Sequence, residues 1–236
     1  MDQQLSGAII AAGKGERLRD AADGVPKPLV RLGNETLLER QARLLTAVGA
    51  HPLNVIINSE TARLIHAAKL QLEPELAIIV RDTPNSMESL LALGERIPPG
   101  RFLLVTVDAV MAPSELRRFV KDALVQMDTV AVDGVLGVVT WRGDKHPLFA
   151  EVADNGKLIR LGGRDGRVVT AGVYLFSTRI FEFAAEARCI GLDALRRYLG
   201  FLLEKGMELA AVELTDVVDV DEGADLRAAQ VLADHS

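Results

Sequence analysis

Ala8-Ile9-Ile10-Ala11-Ala12-Gly13-Lys14-Gly15-Glu16-Arg17-Leu18, continued by Pro26-Lys27-Pro28-Leu29-Val30, is the stretch on which the fold turns. An apolar run enters small residues and two glycines, so the backbone can come close to a ligand and aim its N–H groups at it. Lys14, Arg17 and Lys27 put cations around that turn. A guanidinium grips phosphate oxygens in pairs, whereas an ammonium acts as a mobile point charge. Two common phosphate loops match poorly. A P-loop needs G-x-x-x-x-G-K followed by Ser or Thr, but Lys14 lies between the glycines with neither residue after it. A dinucleotide fingerprint needs a third small residue where Leu18 stands, and an acid at the end of a clear second strand, which is lacking.

Outward from this turn, short apolar runs alternate with amphipathic stretches. Strands are expected over residues 5–11, 53–58, 76–80 and 102–107, and helices over 36–48, 60–72 and 86–96. Pro113, followed by Leu116, Phe119, Val120 and Leu124, marks a helix with its proline near the start. Such alternation implies a mainly parallel sheet covered on both faces. Beyond about Asp133 the pattern changes. Strand-like pieces at 135–141, 148–152, 157–161 and 170–176 are joined by turn signals such as Asp154-Asn155-Gly156 and Arg164-Asp165-Gly166. Helices are expected again at 179–187 and 192–205, then a strand at 209–212, the segment 217–220 and a closing helix. No repeat or low-complexity linker interrupts the chain. Residues 1–236 are therefore read as one domain, with a nucleotide-binding half over about 1–134 and an acceptor-binding half over about 135–236.

Two linked motifs narrow the chemistry. Ala11 through Leu18 and Pro26 through Leu29 closely resemble the strand, A-A-G-x-G-x-R-L and P-K-P-L signature of the NTP-transferase family. These are sugar-phosphate and polyol-phosphate nucleotidyltransferases. The resemblance implies an α/β, Rossmann-like fold of the GT-A type: a mixed, mainly parallel sheet flanked by helices. It further implies that Ala11, Ala12 and Gly13 lie against base and ribose, that Gly15 and Arg17 hold the triphosphate, and that Lys27 reaches the α-phosphate. Lys14 is either a phosphate contact or a solvated lysine.

Nucleotidyl transfer past a triphosphate calls for a divalent cation, and Mg2+ favours one or two carboxylates with phosphate oxygens and water. Asp108, closing the strand at 102–107, stands where open α/β sheets present ligand groups. The family has Gly-Asp there; Val107-Asp108 departs from it and narrows the space expected beside a metal. Val217-Val218-Asp219-Val220-Asp221-Glu222-Gly223-Ala224-Asp225-Leu226 resembles, in part, the family's late D-V-D-T-P-E-D-L element. That makes Asp219 the second metal candidate, while Asp221 is expected to cap the last helix. Asn85-Ser86-Met87-Glu88-Ser89-Leu90 offers Ser89 as a base contact by resemblance to the cytidylyltransferase branches, or Asn85 and Glu88 as a capping box.

Thr170-Ala171-Gly172-Val173-Tyr174-Leu175-Phe176 resembles the family's acceptor-side strand, with Thr170 a donor and Gly172 either a close approach to the acceptor or a bulge. Lys145, Arg164 and Arg167 are acceptor-phosphate candidates more simply explained as solvated loop residues. Trp141 and Tyr174 are expected in the core or a pocket wall.

The resemblance implies transfer of a nucleoside monophosphate from an NTP, CTP or UTP preferred, to a sugar 1-phosphate or other small phosphorylated alcohol, with Mg2+ as cofactor. Two alternatives are a GT-A glycosyltransferase, for which Asp219-Val220-Asp221 superficially supplies a D-x-D, and a non-catalytic nucleotide-binding relative. A formal charge of -6 argues against a nucleic-acid partner. Cys189 is the lone cysteine, so no internal disulfide forms, and the scattered His51, His66, His146 and His235 make no metal-binding pair. The run at 7–12 is too short for a membrane span or a signal peptide. A cytoplasmic monomer or homodimer is expected.

Overall fold

A computed structural model describes residues 4–72, 75–143 and 147–234. In chain order the first half contains β1 (Ser6–Ala11), α1 (Glu16–Ala21), β2 (Arg31–Leu32), β3 (Glu35–Thr36), α2 (Leu37–Ala47), β4 (Leu53–Ile57), α3 (Ser59–Ala67) and β5 (Ala77–Val80). It continues through α4 (Ser86–Gly94), β6 (Arg101–Thr106), β7 (Ala109–Met111) and α5 (Pro113–Thr129). The second half adds β8 (Gly134–Thr140), β9 (Phe149–Val152), β10 (Leu158–Leu161) and β11 (Val168–Ser177). It closes with α6 (Ala184–Cys189), α7 (Leu195–Glu204), β12 (Leu209–Glu213), β13 (Val217–Asp219) and α8 (Gly223–Asp234).

Every residue of β1 is buried, as its unbroken apolar and small side chains require of a strand covered on both faces. It pairs in parallel with β4 and with β6, and β4 carries β5 in parallel. On the other flank the sheet turns antiparallel: β11 runs against β6, β8 and β9, while β12 joins β8 in parallel. The mixed sheet thus has its parallel part in the first half of the chain, and strands from both halves share it. Alternate residues feed two cores. Ile9, Val55, Leu103, Val105 and Phe119 pack on one face, and Ala8, Phe102, Leu104, Phe176 and Tyr198 on the other.

Local chemistry fixes the helix starts. Thr36 and Glu39 form a reciprocal capping box at α2, Asn58 caps α3 by accepting from Thr61 N, and Pro113 occupies the first turn of α5. Four expectations shift. Asn58 is a cap, not the last residue of a strand, and α3 stops at Ala67, where Lys69 turns to a φ of 51°. The stretch expected as a helix from 179 begins as a 3-10 turn, Thr178–Phe183, before α6. At α4 the box is half-made: Asn85 accepts from Glu88 N at 3.0 Å, but the Glu88 carboxylate goes to Arg188 instead.

β11 carries a register break between Thr170 and Tyr174, and Gly172 inside it has a φ of 70°. A Cβ at Gly172 would lie 2.5 Å from Thr106 Oγ1 and 2.8 Å from the Ala109 Cβ. Left-handed strain and overpacking add here, so Gly172→Ala is expected to cost about 2 kcal/mol or more, measured by urea denaturation.

Candidate active site

The turn after β1 keeps Ala11 and Ala12 buried and leaves Gly13 exposed, with open space where a side chain would project. Asn58 Nδ2 donates to Ala12 O at 3.2 Å and so anchors the turn to the start of α3. Gly15 stands before α1 with a φ of 58°, and a Cβ there would meet the Lys27 Cβ at 2.9 Å. Glycine is thus required both by conformation and by the lysine stem passing beside it.

Lys27 heads a 3-10 turn, Lys27–Leu29, that Pro26 initiates. Its side chain is buried, and its Nζ donates to Asp108 Oδ2 at 2.9 Å and to Asp221 Oδ1 at 2.6 Å. Burial alone would pull this lysine's pKa down; the charges and hydrogen bonds of Asp108 and Asp221 outweigh it and hold the pKa above the ordinary lysine value. The ammonium therefore stays charged across the neutral range. Arg17, on α1, reaches the other oxygen of Asp221, Nη2 to Oδ2, at 2.9 Å.

Asp108 sits in the gap between β6 and β7, and Asp219 ends β13. The antiparallel pair β13–β7 sets Asp219 opposite Ala109, which brings the two acids together from distant parts of the chain. Asp221 joins them: one carboxylate oxygen from each of Asp108, Asp219 and Asp221 lies within 4.8 Å of the others. Expected as the cap of the last helix, Asp221 stands two residues before that helix begins at Gly223; Asp225 Oδ2 accepts the N–H groups of Asp221 and Glu222, and the Asp221 carboxylate faces Lys27 and Arg17. Val220 between them is fully buried, so the alternation of an extended segment sends both acids one way.

Val107 belongs with Leu103 and Val105 to the core, and it also lines the smaller of two cavities beside Thr106 and Asp108.

A cavity of about 240 Å3 opens behind the turn; Ala11, Ala12, Gly13, Gly15, Lys27 and Ser89 are among its walls. Ser89 is buried there with its hydroxyl 2.6 Å from that of Thr83, another wall residue. A larger cavity of about 570 Å3 lies on the other side, against Arg17, Thr170, Gly172, Tyr174, Asp219 and Asp221. Ser86, Thr106 and Asp108 line both. Burial pushes the Tyr174 phenol up to about 12, with the nearby charges of Asp219 and Asp108 adding to it against a hydrogen bond with Thr170. Its hydroxyl is therefore neutral at physiological pH.

Some candidates lie elsewhere. Lys14 is exposed and Arg167 pairs with Glu213 at 3.3 Å; neither they nor Arg164 line these cavities. Trp141 is 42% exposed, edge-on to Phe149, and belongs neither to the core nor to either of these walls. Lys145 and His146 lie outside the described residues. Sequence reasoning passed over Thr106, Ser86 and Arg196, all wall residues of the larger cavity. Ser86 carried a signal, as the first residue after a helix cap; Arg196, in an ordinary Arg-Arg pair, carried none.

Comparison with known proteins places this geometry. A family model described as a MobA-like NTP transferase domain matches residues 7–172. Two proteins named bifunctional IPC transferase and DIPP synthase are similar in sequence. The one from Rubrobacter xylanophilus is 30% identical over 94% of this chain and 50% of that protein, and the one from Archaeoglobus fulgidus is 27% identical over 78% and 35%. The chain spans half, or less, of the length of these curated relatives. Among solved structures, the inositol-1-phosphate CTP transferase from T. maritima superposes with a TM-score of 0.79 at 18% identity, covering 98% of this chain and 96% of that one. A UDP-glucose pyrophosphorylase complexed with UDP-glucose gives 0.75 at 12% identity, over 97% and 98%. These likenesses establish the Rossmann-like, GT-A-type fold. Among the described residues no helix is long and apolar enough to cross a membrane.

Proposed function

The chain belongs to the MobA-like NTP transferase domain family, and from that premise we propose that it moves a cytidylyl group from CTP to a phosphorylated polyol, releasing pyrophosphate. The name of the T. maritima fold neighbour, an inositol-1-phosphate CTP transferase, supports CTP over UTP and a polyol phosphate over a sugar 1-phosphate. One observation carries the assignment: a buried, charged Lys27 stands between Asp108 and Asp221 beside Asp108, the acid common to both cavities.

The smaller cavity takes the nucleotide, with Ala11, Ala12 and Gly13 against base and ribose and Ser89 at the base. The larger takes the acceptor along Thr170 and Gly172. An oxygen of the acceptor phosphate attacks the α-phosphorus; the new P–O bond forms as the bond to the β-phosphate bridging oxygen breaks. That attacking oxygen is already anionic, so no side chain has to remove a proton. Lys27, with Gly15 and Arg17 at the triphosphate, balances charge that grows on the transferring group. The oxygen-only donor set of Asp108, Asp219 and Asp221 suits a hard divalent cation, and the ammonium already held between two of these acids marks the spot as one built for positive charge. These three acids would hold Mg2+, which when bound neutralises phosphate charge. Residues 1–236 act as one unit, yet the labour is not cleanly split: Arg17 from the first half reaches the larger cavity, and two of the three acids come from the second.

Incubating the chain with each of the four NTPs and a panel of phosphorylated sugars and polyols, with Mg2+, tests this through pyrophosphate release. Nucleotide binding with no pyrophosphate from any acceptor would favour a non-catalytic relative, and consumption of an NDP-sugar instead a glycosyltransferase. Within the larger cavity Arg17 is engaged by Asp221 and Arg142 by Asp216 at 3.3 Å, whereas Arg196 makes no ion pair with any described acid. Arg196 is therefore the cation offered to the acceptor phosphate. Arg196→Gln is expected to raise the acceptor KM about tenfold and leave the NTP KM unchanged in steady-state kinetics.

A further inference from the structure

Gln41 is an amide on an apolar face. Helical spacing puts it with Leu37, Leu38, Leu44 and Leu45 on the side of α2 that packs into the core, and only 1% of it is exposed. A leucine would serve packing there at least as well, so the amide has another purpose. Its Nε2 donates to Ala109 O at 2.7 Å, with a longer contact of 3.5 Å to Val107 O. Those carbonyls flank Asp108.

The two residues between β6 and β7, Val107 and Asp108, lie outside both strands. Ladder hydrogen bonds therefore cannot fix Asp108 as they fix its neighbours. The gap is secured from three directions instead. Val107 N donates to Ile10 O at 3.0 Å, Val220 N donates to Asp108 O at 3.0 Å, and Gln41 takes the carbonyls on either side. Arg40, the next residue back on α2, continues the clamp by donating to Met111 O at 3.2 Å. Of these tethers, Gln41 alone is a side chain reaching carbonyls on both sides of Asp108: that of Val107, in the peptide joining it to Asp108, and that of Ala109, one peptide beyond.

We infer that Gln41 is a positioning residue: it sets the direction of the Asp108 carboxylate so that the cation site with Asp219 and Asp221 is formed before a cation arrives. This rests on the proposal that those acids hold a divalent cation. A small, rigidly coordinated ion tolerates little error in carboxylate angle, so loosening the turn costs affinity without removing any ligand.

The test is Mn2+ titration of the full chain by electron paramagnetic resonance, on the parent and on Gln41→Leu and Gln41→Met, with thermal melting alongside. Both variants are expected to bind Mn2+ about tenfold more weakly. The half-saturating Mg2+ for pyrophosphate release should rise by a like factor, and turnover should recover at high Mg2+. CTP binding in the absence of metal should be unaltered. A lower melting temperature with parental Mn2+ affinity, in whichever variant folds, would mean that Gln41 merely supports the fold and overturns the inference. A parent chain that binds no Mn2+ would overturn the cation site itself, which separates the two failures.

Discussion

Lys27→Ala is expected to lower kcat by about 10²–10³-fold while the NTP KM moves little, the range seen when one preorganised electrostatic donor is lost. The size of the effect follows from where the charge stands. The ammonium is buried and fixed by Asp108 and Asp221, so it needs no reorganisation when negative charge accumulates on the α-phosphate, and low local polarity strengthens its field. A solvated lysine such as Lys14 offers neither property. Lys27→Arg should rescue little, because the lysine stem threads past Gly15 in a passage where even a Cβ would come within 2.9 Å. Steady-state rates by pyrophosphate detection, with melting curves to exclude misfolding, decide it. Parental kcat in a folded Lys27→Ala chain would remove this residue from the chemistry.

Asp108→Asn should be as damaging, at about 10³-fold in kcat/KM, because it acts twice. It withdraws one of three clustered carboxylates from a divalent cation, a loss worth several kcal/mol of charge stabilisation. It also removes the largest charge opposing the burial of Lys27, so the lysine's pKa should fall toward or below its ordinary value. The sign is testable. Lys27 now has a raised pKa, so its charge is complete at neutral pH and lost only in strong alkali; in Asp108→Asn, residual activity should decline at lower pH on the alkaline side than in the parent. Asp219→Asn, which withdraws another of the three clustered carboxylates, should weaken cation affinity. Equal pH profiles for parent and Asp108→Asn would refute the coupling of lysine and acid.

Much of the site could be read in one dimension because its parts are local. The glycine turn, the lysine after a proline and an acid at a strand end are each set within a few residues, and those residues meet around Asp108. Asp221 does more than its place shortly before a helix suggests: its carboxylate meets two cations that come from the other end of the chain, while Asp225 accepts the N–H groups of Asp221 and Glu222. Val107 plays two parts that its place beside Asp108 does not reveal: it packs into the core with Leu103 and Val105 and also lines the smaller cavity.

Residue order alone determined the alternation of strands and helices and the glycine turn, since hydrophobic period and glycine placement act over short spans; the class of chemistry came from the resemblance of that turn and of Pro26-Lys27-Pro28-Leu29 to a known family. Only the folded chain decided that the short strands β7 and β13 pair, which carries Asp219 and Asp221 to Asp108, and that Gln41 braces the turn between β6 and β7. Three-residue strands have no readable period, and a register between segments so far apart is chosen by the packing of the whole sheet rather than by either segment.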